Sequence, residues 1–219
     1  MEIIAHIITD FPTKFGVPRQ SGLANTVGKI VFEKKYAVAE AVRGLEDYSH
    51  IWLLWDFSLT ERGEFSPTVR PPRLGGNTRV GVFATRSPNR PNNIGLSSVR
   101  LEKVATEEGK PVLYVSGADL VSGTPIYDIK PYLPFTDCHP DARGGFADEK
   151  LSYRLSVNCE NELLSKIAED KREALLEILS EDVRPSYQND SERIYGFEFS
   201  GHEIKFKVDK TSLTVISIE

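Results

Sequence analysis

Cysteine is scarce in this sequence, and its scarcity limits the sites that the chain can form. Only two cysteines, Cys138 and Cys159, occur among 219 residues, and the one histidine beside them is His139. Structural metal sites normally need three or four spaced Cys and His ligands, and a disulfide framework needs several cysteine pairs. We therefore expect no disulfide framework and no metal site.

Long apolar runs and several familiar motifs are also missing. No stretch approaches the roughly 18–20 apolar residues that cross a bilayer, and the start of the chain lacks the basic and long apolar regions of a signal peptide. We expect a cytoplasmic protein without membrane contact. The sequence has no GxGxxG after a predicted strand, no GxxxxGK(S/T) and no HExxH, which argues against a Rossmann methyltransferase or a P-loop enzyme.

Charge is distributed unevenly along the chain. The net charge of −5 argues against a general nucleic-acid binder, which is usually basic. Residues 62–100, however, contain seven arginines, no lysine and a single acid, Glu64, so this segment carries +6 and the remainder −11. The arginine-rich segment is therefore the natural place to look for an anionic ligand.

Short strand-like runs dominate the first two-thirds of the sequence. The runs cover residues 2–8, 28–33, 50–57, 79–85, 95–104, 112–116 and 125–129, and one short helix is predicted over 36–43. Gly, Pro, Asn or Asp bound each run, and several short strands with such turns are typical of a barrel or a sandwich. The predicted fold class is therefore mainly β.

The pattern changes after a Pro-, Gly- and Asp-rich stretch over residues 131–148. Apolar residues recur at steps of three and four from residue 161 to 179, which predicts an amphipathic helix whose apolar face is core packing. Strands are predicted over 194–200, 203–208 and 213–218. We therefore predict a first domain over residues 1–148 and a smaller α+β domain over 149–219.

The segment 70–98 is richer in special residues than a fold alone requires. Four prolines and four glycines lie among polar side chains, so much of it must be loop. The planar guanidinium of arginine suits bidentate contact with phosphate or carboxylate. Surface ion pairs with acids elsewhere in the chain explain any single arginine equally well, whereas the cluster as a whole favours an anionic ligand.

Three other segments carry candidate functional groups. Residues 15–20 end in a polar turn whose glutamine, Gln20, can donate and accept hydrogen bonds as an adenine edge requires. Residues 119–132 offer two carboxylates and two hydroxyls, although turn formation explains much of that stretch as well. Residues 50–55 are predicted to form a buried strand in which His50 has a structural role, since no Ser or Cys nucleophile motif lies nearby.

In these segments the sequence resembles the TrmO family, also called TsaA-like or YaeB-like, of tRNA adenine-N6 methyltransferases. The matching strings are FGVPRQ (15–20), AVRGLEDYSHIWLLWDF (41–57), RPPRLGGNTRVGVFATRSPNRPNNIGLSSVRL (70–101), DLVSGTPIYDIKPYLPF (119–135), and VRPSYQ with RIYGF (183–188 and 193–197). Two residues depart from the family pattern: Asn93 replaces a proline, and Ser122 replaces an aspartate near the expected cofactor site.

The resemblance implies a β-barrel methyltransferase domain, outside the Rossmann class, followed by a small domain in a homodimer. It also implies S-adenosylmethionine as cofactor and N6-threonylcarbamoyladenosine at position 37 of the tRNA anticodon loop as substrate. The positions that match the family's cofactor contacts are Pro18, Arg19, Gln20, Ser58, Leu59, Arg86, Leu96, Leu120, Val121, Ser122 and Gly123.

Methyl transfer from a sulfonium needs collinear positioning and no covalent nucleophile. A group that takes or orients the N6 proton would help, and Asp119 and Asp128 are the candidates, although either could instead stabilise a turn. For the anionic substrate we predict contacts from Arg70, Arg73 and Arg90, with Lys130 and Tyr132 as further candidates and Tyr132 as a stacking ring.

Two alternatives remain open from the sequence. The acidic remainder of the chain is a poor partner for tRNA, which favours a methyltransferase of the same fold that acts on a smaller acceptor. A module without catalytic activity that binds a nucleotide or RNA through residues 70–98 is the other alternative. Substrate specificity and turnover separate these possibilities.

Overall fold

The architecture was analysed in a computed structural model that describes residues 1–60, 63–71, 74, 77–150, 153–184 and 190–219. The predicted substrate residue Arg73 lies outside these ranges. Within them, no helix is both long and apolar enough to cross a membrane. The same ranges contain no group of three or more His, Cys, Asp or Glu side chains that could hold a metal ion.

Six antiparallel strands form a closed barrel. In chain order they are β1 (Ala5–Thr9), β2 (Val27–Phe32), β3 (His50–Asp56), β6 (Ile94–Glu107), β7 (Lys110–Ser116) and β8 (Thr124–Pro131), and they pair in the order β1-β2-β7-β6-β3-β8. A two-stranded ribbon of β4 (Thr68–Val69) and β5 (Val80–Gly81) stands apart from the barrel. The prediction of a mainly β chain with a β-barrel is confirmed.

Alternation of side chains explains why these strands enclose a core. In β3, Ile51, Leu53 and Trp55 are buried, whereas His50 and Trp52 lie on the outer face. Successive side chains of a strand point to opposite faces, so a barrel buries every second residue. The prediction that residues 50–55 form a buried strand therefore holds for one face only, and His50, on the other face, is exposed.

The second part of the chain packs one main helix on a four-stranded sheet. The sheet order is β10 (Tyr195–Phe199), β11 (His202–Asp209), β12 (Ser212–Ile218) and β9 (Ser156–Asn158), with β9 parallel to β12. Helix α4 (Glu169–Ser180) buries Leu175, Ile178 and Leu179 against this sheet. Three short helices complete the α-helical elements of the described ranges: α1 (Ala39–Val42), α2 (Pro134–Asp137) and α3 (Asn161–Leu164).

Three predicted elements need correction. The helix predicted over 161–179 is divided into α3 and α4, and Arg172 donates to the Ser165 and Ile167 carbonyls that the break leaves outside a helix. The strand predicted over 79–85 is only β5 followed by a 3-10 turn, Val82–Ala84. The helix predicted over 36–43 is only α1, which ends before Gly44, a residue in the left-handed region at φ 83°.

Residues 10–25 connect β1 to β2 and are called here the bridging segment. They pack against α4 and the four-stranded sheet, which together are called here the second domain. Phe11 and Ala24 are buried in the core that α4 and the second sheet form, and Phe15 and Val17 pack against it. Gly16 has φ 95°, and a Cβ there would lie 2.2 Å from the Phe197 ring. The two cores are therefore joined by a segment that leaves the barrel and returns to it.

Candidate active site

The antiparallel register brings three connecting segments to one end of the barrel. At this end Thr9 pairs with Gly28, Val27 with Ser116, and Asp56 with Ile94. The connections over residues 10–26, 57–93 and 117–123 therefore all leave from the same rim. The predicted cofactor residues lie on these connections or, for Leu96, on the adjacent start of β6. Residues that are far apart in sequence are thus gathered at one barrel end.

A groove of about 460 Å³ extends from this rim along the outer face of β3 and β6. Trp52 and Ser98, paired across the two strands, form its floor. Its remaining lining comes from both ends of the barrel: Ser21, Arg86, His50, Tyr132 and Asp137. The groove therefore links the cofactor candidates at the rim to an aromatic group at the other end.

The aromatic end of the groove is held by a shared carboxylate. The Trp52 and Tyr132 ring centroids are 5.5 Å apart, and His50 lies 6.2 Å from Tyr132. Trp52 Nε1 donates to Asp137 Oδ2 at 2.8 Å, and the Leu133 amide donates to the same oxygen at 2.9 Å. Both hydrogen bonds lower the pKa of Asp137, and the one from the Leu133 amide has the larger effect. The result is a preformed aromatic wall with one face toward the groove.

Asp119 is the carboxylate at the rim end. Ser97 Oγ donates to Asp119 Oδ1 at 2.6 Å, and Trp55 Nε1 donates to Ser97 Oγ at 2.9 Å. Burial raises the pKa of Asp119 from 3.8 to about 6, although Ser97, the Ser21 amide and the charge of Arg86 act in the opposite direction. A carboxyl group whose pKa lies near neutrality is suited to accept a proton.

A glycine makes the Trp55–Ser97–Asp119 chain of hydrogen bonds possible. A Cβ on Gly95 would lie 2.2 Å from the Trp55 ring. Only glycine leaves room for the indole to lie flat against β6 and to reach Ser97 two residues further along the strand. The sequence prediction included Asp119 but missed Ser97 and Trp55, whose side chains alternation alone would have placed inside the barrel.

Arg86 is joined to the bridging segment through Gln20. Arg86 Nη1 donates to Gln20 Oε1 at 2.5 Å, and Gln20 Nε2 donates to the Arg19 carbonyl. Arg19 itself points away, because its Nη2 donates to the Asp182 and Arg184 carbonyls, each at 2.7 Å. Pro18 is buried. Of this predicted trio, Gln20 therefore has the side chain that contacts the groove residue Arg86.

The 120–123 turn is fastened to the end of β1. The Ser122 amide donates to the Phe11 carbonyl at 2.7 Å and the Gly123 amide to the Ile7 carbonyl at 2.7 Å. Ser122 Oγ accepts from the Thr9 amide at 3.3 Å. Leu120 is buried and the Val121 carbonyl accepts from Thr124 at 3.1 Å. The turn is thus a rigid part of the rim, and Gly123 has the positive φ, 83°, that its shape requires.

The remaining cofactor candidates also lie at the rim. Ser58 and Leu59 follow β3, and the Leu59 carbonyl accepts a hydrogen bond from Lys14. Leu59 and Leu96 are apolar side chains with 51% and 52% of their surface exposed. Such exposed leucines beside polar groups could cover one face of a flat ring.

The substrate candidates do not form one cluster. Arg90 Nη1 donates to the Thr85 carbonyl at 2.7 Å and to the Val82 carbonyl at 3.2 Å, which holds the 3-10 turn. Arg70 is exposed. Tyr132 lines the groove, and Lys130 lies on the outer face of β8. Asp128 forms an ion pair with Lys130 at 2.9 Å and accepts from the Ile129 amide, so it is a surface group with a local partner.

Comparison with known proteins identifies the relatives of this chain. The family described as tRNA-methyltransferase O N-terminal domain matches residues 6–138, and the TrmO C-terminal domain matches residues 148–219. A tRNA (adenine(37)-N6)-methyltransferase of Escherichia coli K12 is 40% identical over 227 residues, covering 100% of this chain and 97% of that protein.

Two further relatives come from Pseudomonas aeruginosa. One is provisionally named an S-adenosylmethionine-dependent methyltransferase and is 44% identical over 167 residues, covering 76% of this chain and 68% of that protein. The other is a crystal structure of TrmO that matches with a TM-score of 0.79 and 32% identity, covering 99% of this chain and 94% of that one. Both the sequence and the fold thus point to one family.

Proposed function

The chain belongs to the tRNA-methyltransferase O family, and on that premise we propose that it transfers a methyl group from S-adenosylmethionine to N6 of adenine 37 in tRNA. The activity follows the name of the Escherichia coli relative, and the cofactor follows the name of the Pseudomonas relative. The observation in this chain that carries the proposal is the convergence of the three connecting segments at one rim, from which the groove leads to the aromatic wall.

The rim residues fit the chemistry of S-adenosylmethionine. Arg86 offers a guanidinium for the carboxylate of the methionine portion, Gln20 offers an amide for hydrogen bonds, and Leu59 and Leu96 offer apolar surface for the adenine ring. S-adenosylmethionine would supply an electrophilic methyl group on a sulfonium. The contribution of the chain is to hold the acceptor nitrogen in line with that methyl group and to exclude competing geometries.

Asp119, rather than Asp128, is proposed to handle the N6 proton. Asp119 lies at the rim, is positioned by Ser97 and has a pKa of about 6. Asp128 is paired with Lys130 on the outer face of the barrel. Above a pH of about 6 the Asp119 carboxylate is ionised, so it can accept or orient the amide proton that leaves N6 as the new bond forms.

We propose N6-threonylcarbamoyladenosine as the acceptor. Its threonyl carboxylate is an anion that suits a guanidinium fork, and an anticodon loop presents bases that are already unstacked. The Trp52–Tyr132 wall provides a surface on which a base can stack. The proposal also includes action in the cytoplasm. It further includes a homodimer, which sedimentation of the purified protein tests directly.

Methyl transfer to defined tRNAs tests the proposed function. Protein, labelled S-adenosylmethionine and tRNA with or without the threonylcarbamoyl group should give label only in the threonylcarbamoylated tRNA. Arg86→Met should abolish transfer, whereas Arg79→Met, in the same arginine-rich segment but bonded to Thr68 Oγ1 at 2.7 Å, should retain it. Equal labelling of both tRNAs would refute the acceptor, and binding without any turnover would favour a module that lacks catalytic activity.

A further inference from the structure

We propose that the second domain organises the active site through the Arg19 side chain, which fastens the bridging segment to the turn at residues 182–184. Through this contact Arg19 acts as a positioning residue for Gln20 and Ser21. The proposal rests on the proposed function for its catalytic consequence, whereas the contact itself is a property of the chain that can be measured without substrate.

The acceptor side of the contact is rigid and buried. Asp182 is in the left-handed region at φ 52°, and its relative exposure is 9%. Arg184 Nε donates to Asp182 Oδ1 at 2.8 Å and Arg184 Nη2 to Asp182 Oδ2 at 2.9 Å, while Tyr153 Oη donates to Oδ2 at 3.1 Å. This two-point ion pair holds the chain in a bend that turns the Asp182 and Arg184 carbonyls toward Arg19.

The donor side has little freedom either. Phe15 packs edge-on against Phe197 with centroids 6.3 Å apart, and Gly16 lies against the same ring. Phe11 and Ala24 anchor the two ends of the bridging segment in the second core. The Arg19 side chain therefore extends from a backbone that already packs against the second domain. Both of its hydrogen bonds to carbonyls are strengthened because the donor is charged.

The two residues after Arg19 extend the contact to the active site. The Gln20 side chain accepts from Arg86, and the Ser21 backbone lies near enough to Asp119 to lower the pKa of that carboxyl. The Gly22 amide then donates to the Gly117 carbonyl at 2.9 Å, which ties the segment to the end of β7. Four consecutive residues thus connect the second domain, the cofactor rim and the proposed proton acceptor.

Arg19→Met tests the proposal, and Lys171→Met is its matched control. Lys171 Nζ also joins the second domain to the bridging segment, through Asp10 Oδ1 at 2.5 Å, but nine residues before Arg19 and away from the groove. Arg184→Lys loosens the acceptor turn without changing Arg19, since lysine keeps the charge and loses the planar fork. Hydrogen exchange of the unliganded protein, the Kd of S-adenosylmethionine and the split between KM and kcat are measured for each variant.

We expect Arg19→Met to speed exchange at amides 20–22 and to raise the Kd of S-adenosylmethionine about tenfold, the scale of losing part of a charged hydrogen bond. Arg184→Lys should act in the same direction, and the double variant should be less than additive because both changes break one contact. Lys171→Met should lower the denaturation midpoint while leaving the Kd and exchange at 20–22 unchanged.

Other outcomes overturn the proposal. A raised Kd in Arg19→Met with unchanged exchange at 20–22 and a normal Arg184→Lys variant would mean that Arg19 contacts the cofactor directly. An equal rise in the Lys171→Met variant would mean that general loss of stability is sufficient. If the exchange results hold but the wild-type protein transfers no methyl groups to tRNA, the contact stands and the proposed function fails.

Discussion

Replacing Asp119 with asparagine should change how the stability of the protein depends on pH. Burial raises the pKa of Asp119 from 3.8 to about 6. Because the folded-state value is the higher one, the folded protein holds this proton more tightly than the unfolded chain does. The resulting stabilisation is fully present below the unfolded pKa of 3.8 and is lost as the pH rises through about 6.

The size of the effect follows from the shift. At about 1.36 kcal/mol per pKa unit, the wild-type protein loses about 3 kcal/mol in total, of which about 2 kcal/mol falls between a pH of about 4.5 and a pH of about 8. Asparagine does not titrate, so the variant lacks this contribution. The free energy of unfolding of the variant minus that of the wild type should therefore rise by about 2 kcal/mol over the same range.

Urea denaturation at several pH values provides the measurement. Groups other than Asp119 titrate in both proteins and largely cancel in the difference, and any fixed cost of placing an amide beside Ser97 shifts the whole curve without changing its slope. A difference that stays flat from acid to neutral pH would refute the inference that Asp119 is a buried carboxyl with a raised pKa.

The same variant also tests the proposed chemical role. In the wild-type enzyme kcat/KM should rise with pH to a plateau above the Asp119 pKa of about 6. In Asp119→Asn this dependence should disappear and the rate should fall by roughly 10²–10⁴, the usual contribution of a general base. A variant that is fully active at neutral pH would exclude Asp119 as the proton acceptor.

Three further predictions follow from single contacts. Gly95→Ala should lower the free energy of unfolding by about 1–3 kcal/mol, measured by chemical denaturation, because the added methyl group overlaps the Trp55 ring; a neutral result would contradict this packing. Arg90→Met should speed hydrogen exchange around the 3-10 turn, since Arg90 donates to two of its carbonyls, whereas unchanged exchange would leave only a role in substrate binding. Arg70→Met should reduce the slope of log K against log salt for tRNA binding by about 0.7 if Arg70 contacts one phosphate, and an unchanged slope would remove it from the interface.

The barrel was predictable because its information is local. Strands β2, β3 and β7 match the predicted runs within about two residues, since alternating apolar side chains and flanking turn residues mark a strand without reference to the rest of the chain. The errors occur where a contact from outside the predicted run determines the backbone conformation. Val80 and Val82 alternate as in a strand, but the chain turns at Val82, whose carbonyl Arg90 binds from eight residues further along.

The candidate site likewise contains residues that the sequence predicted and contacts that it did not. Asp119, Arg86 and Gln20 were predicted from composition and family resemblance, and the structure brings them together. The Ser97–Asp119 contact and the groove floor depend on the register between strands, which no local pattern specifies. Arg19 shows the limit most clearly, because the carbonyls that it binds lie 163 and 165 residues away.

The bridging segment also has a consequence for the order of events during synthesis. Ala24 leaves the ribosome long before Phe199, with which it shares a core, and about 175 residues separate the two. At about 5–20 residues per second this interval lasts roughly 10–35 s. The barrel strands can pair during that time, but the bridging segment, which carries Gln20, cannot pack against the second domain until β10, β11 and β12 have been made. Under the proposed role of Arg19, a nascent chain therefore gains activity only after β10, β11 and β12 (residues 195–218) have been synthesised.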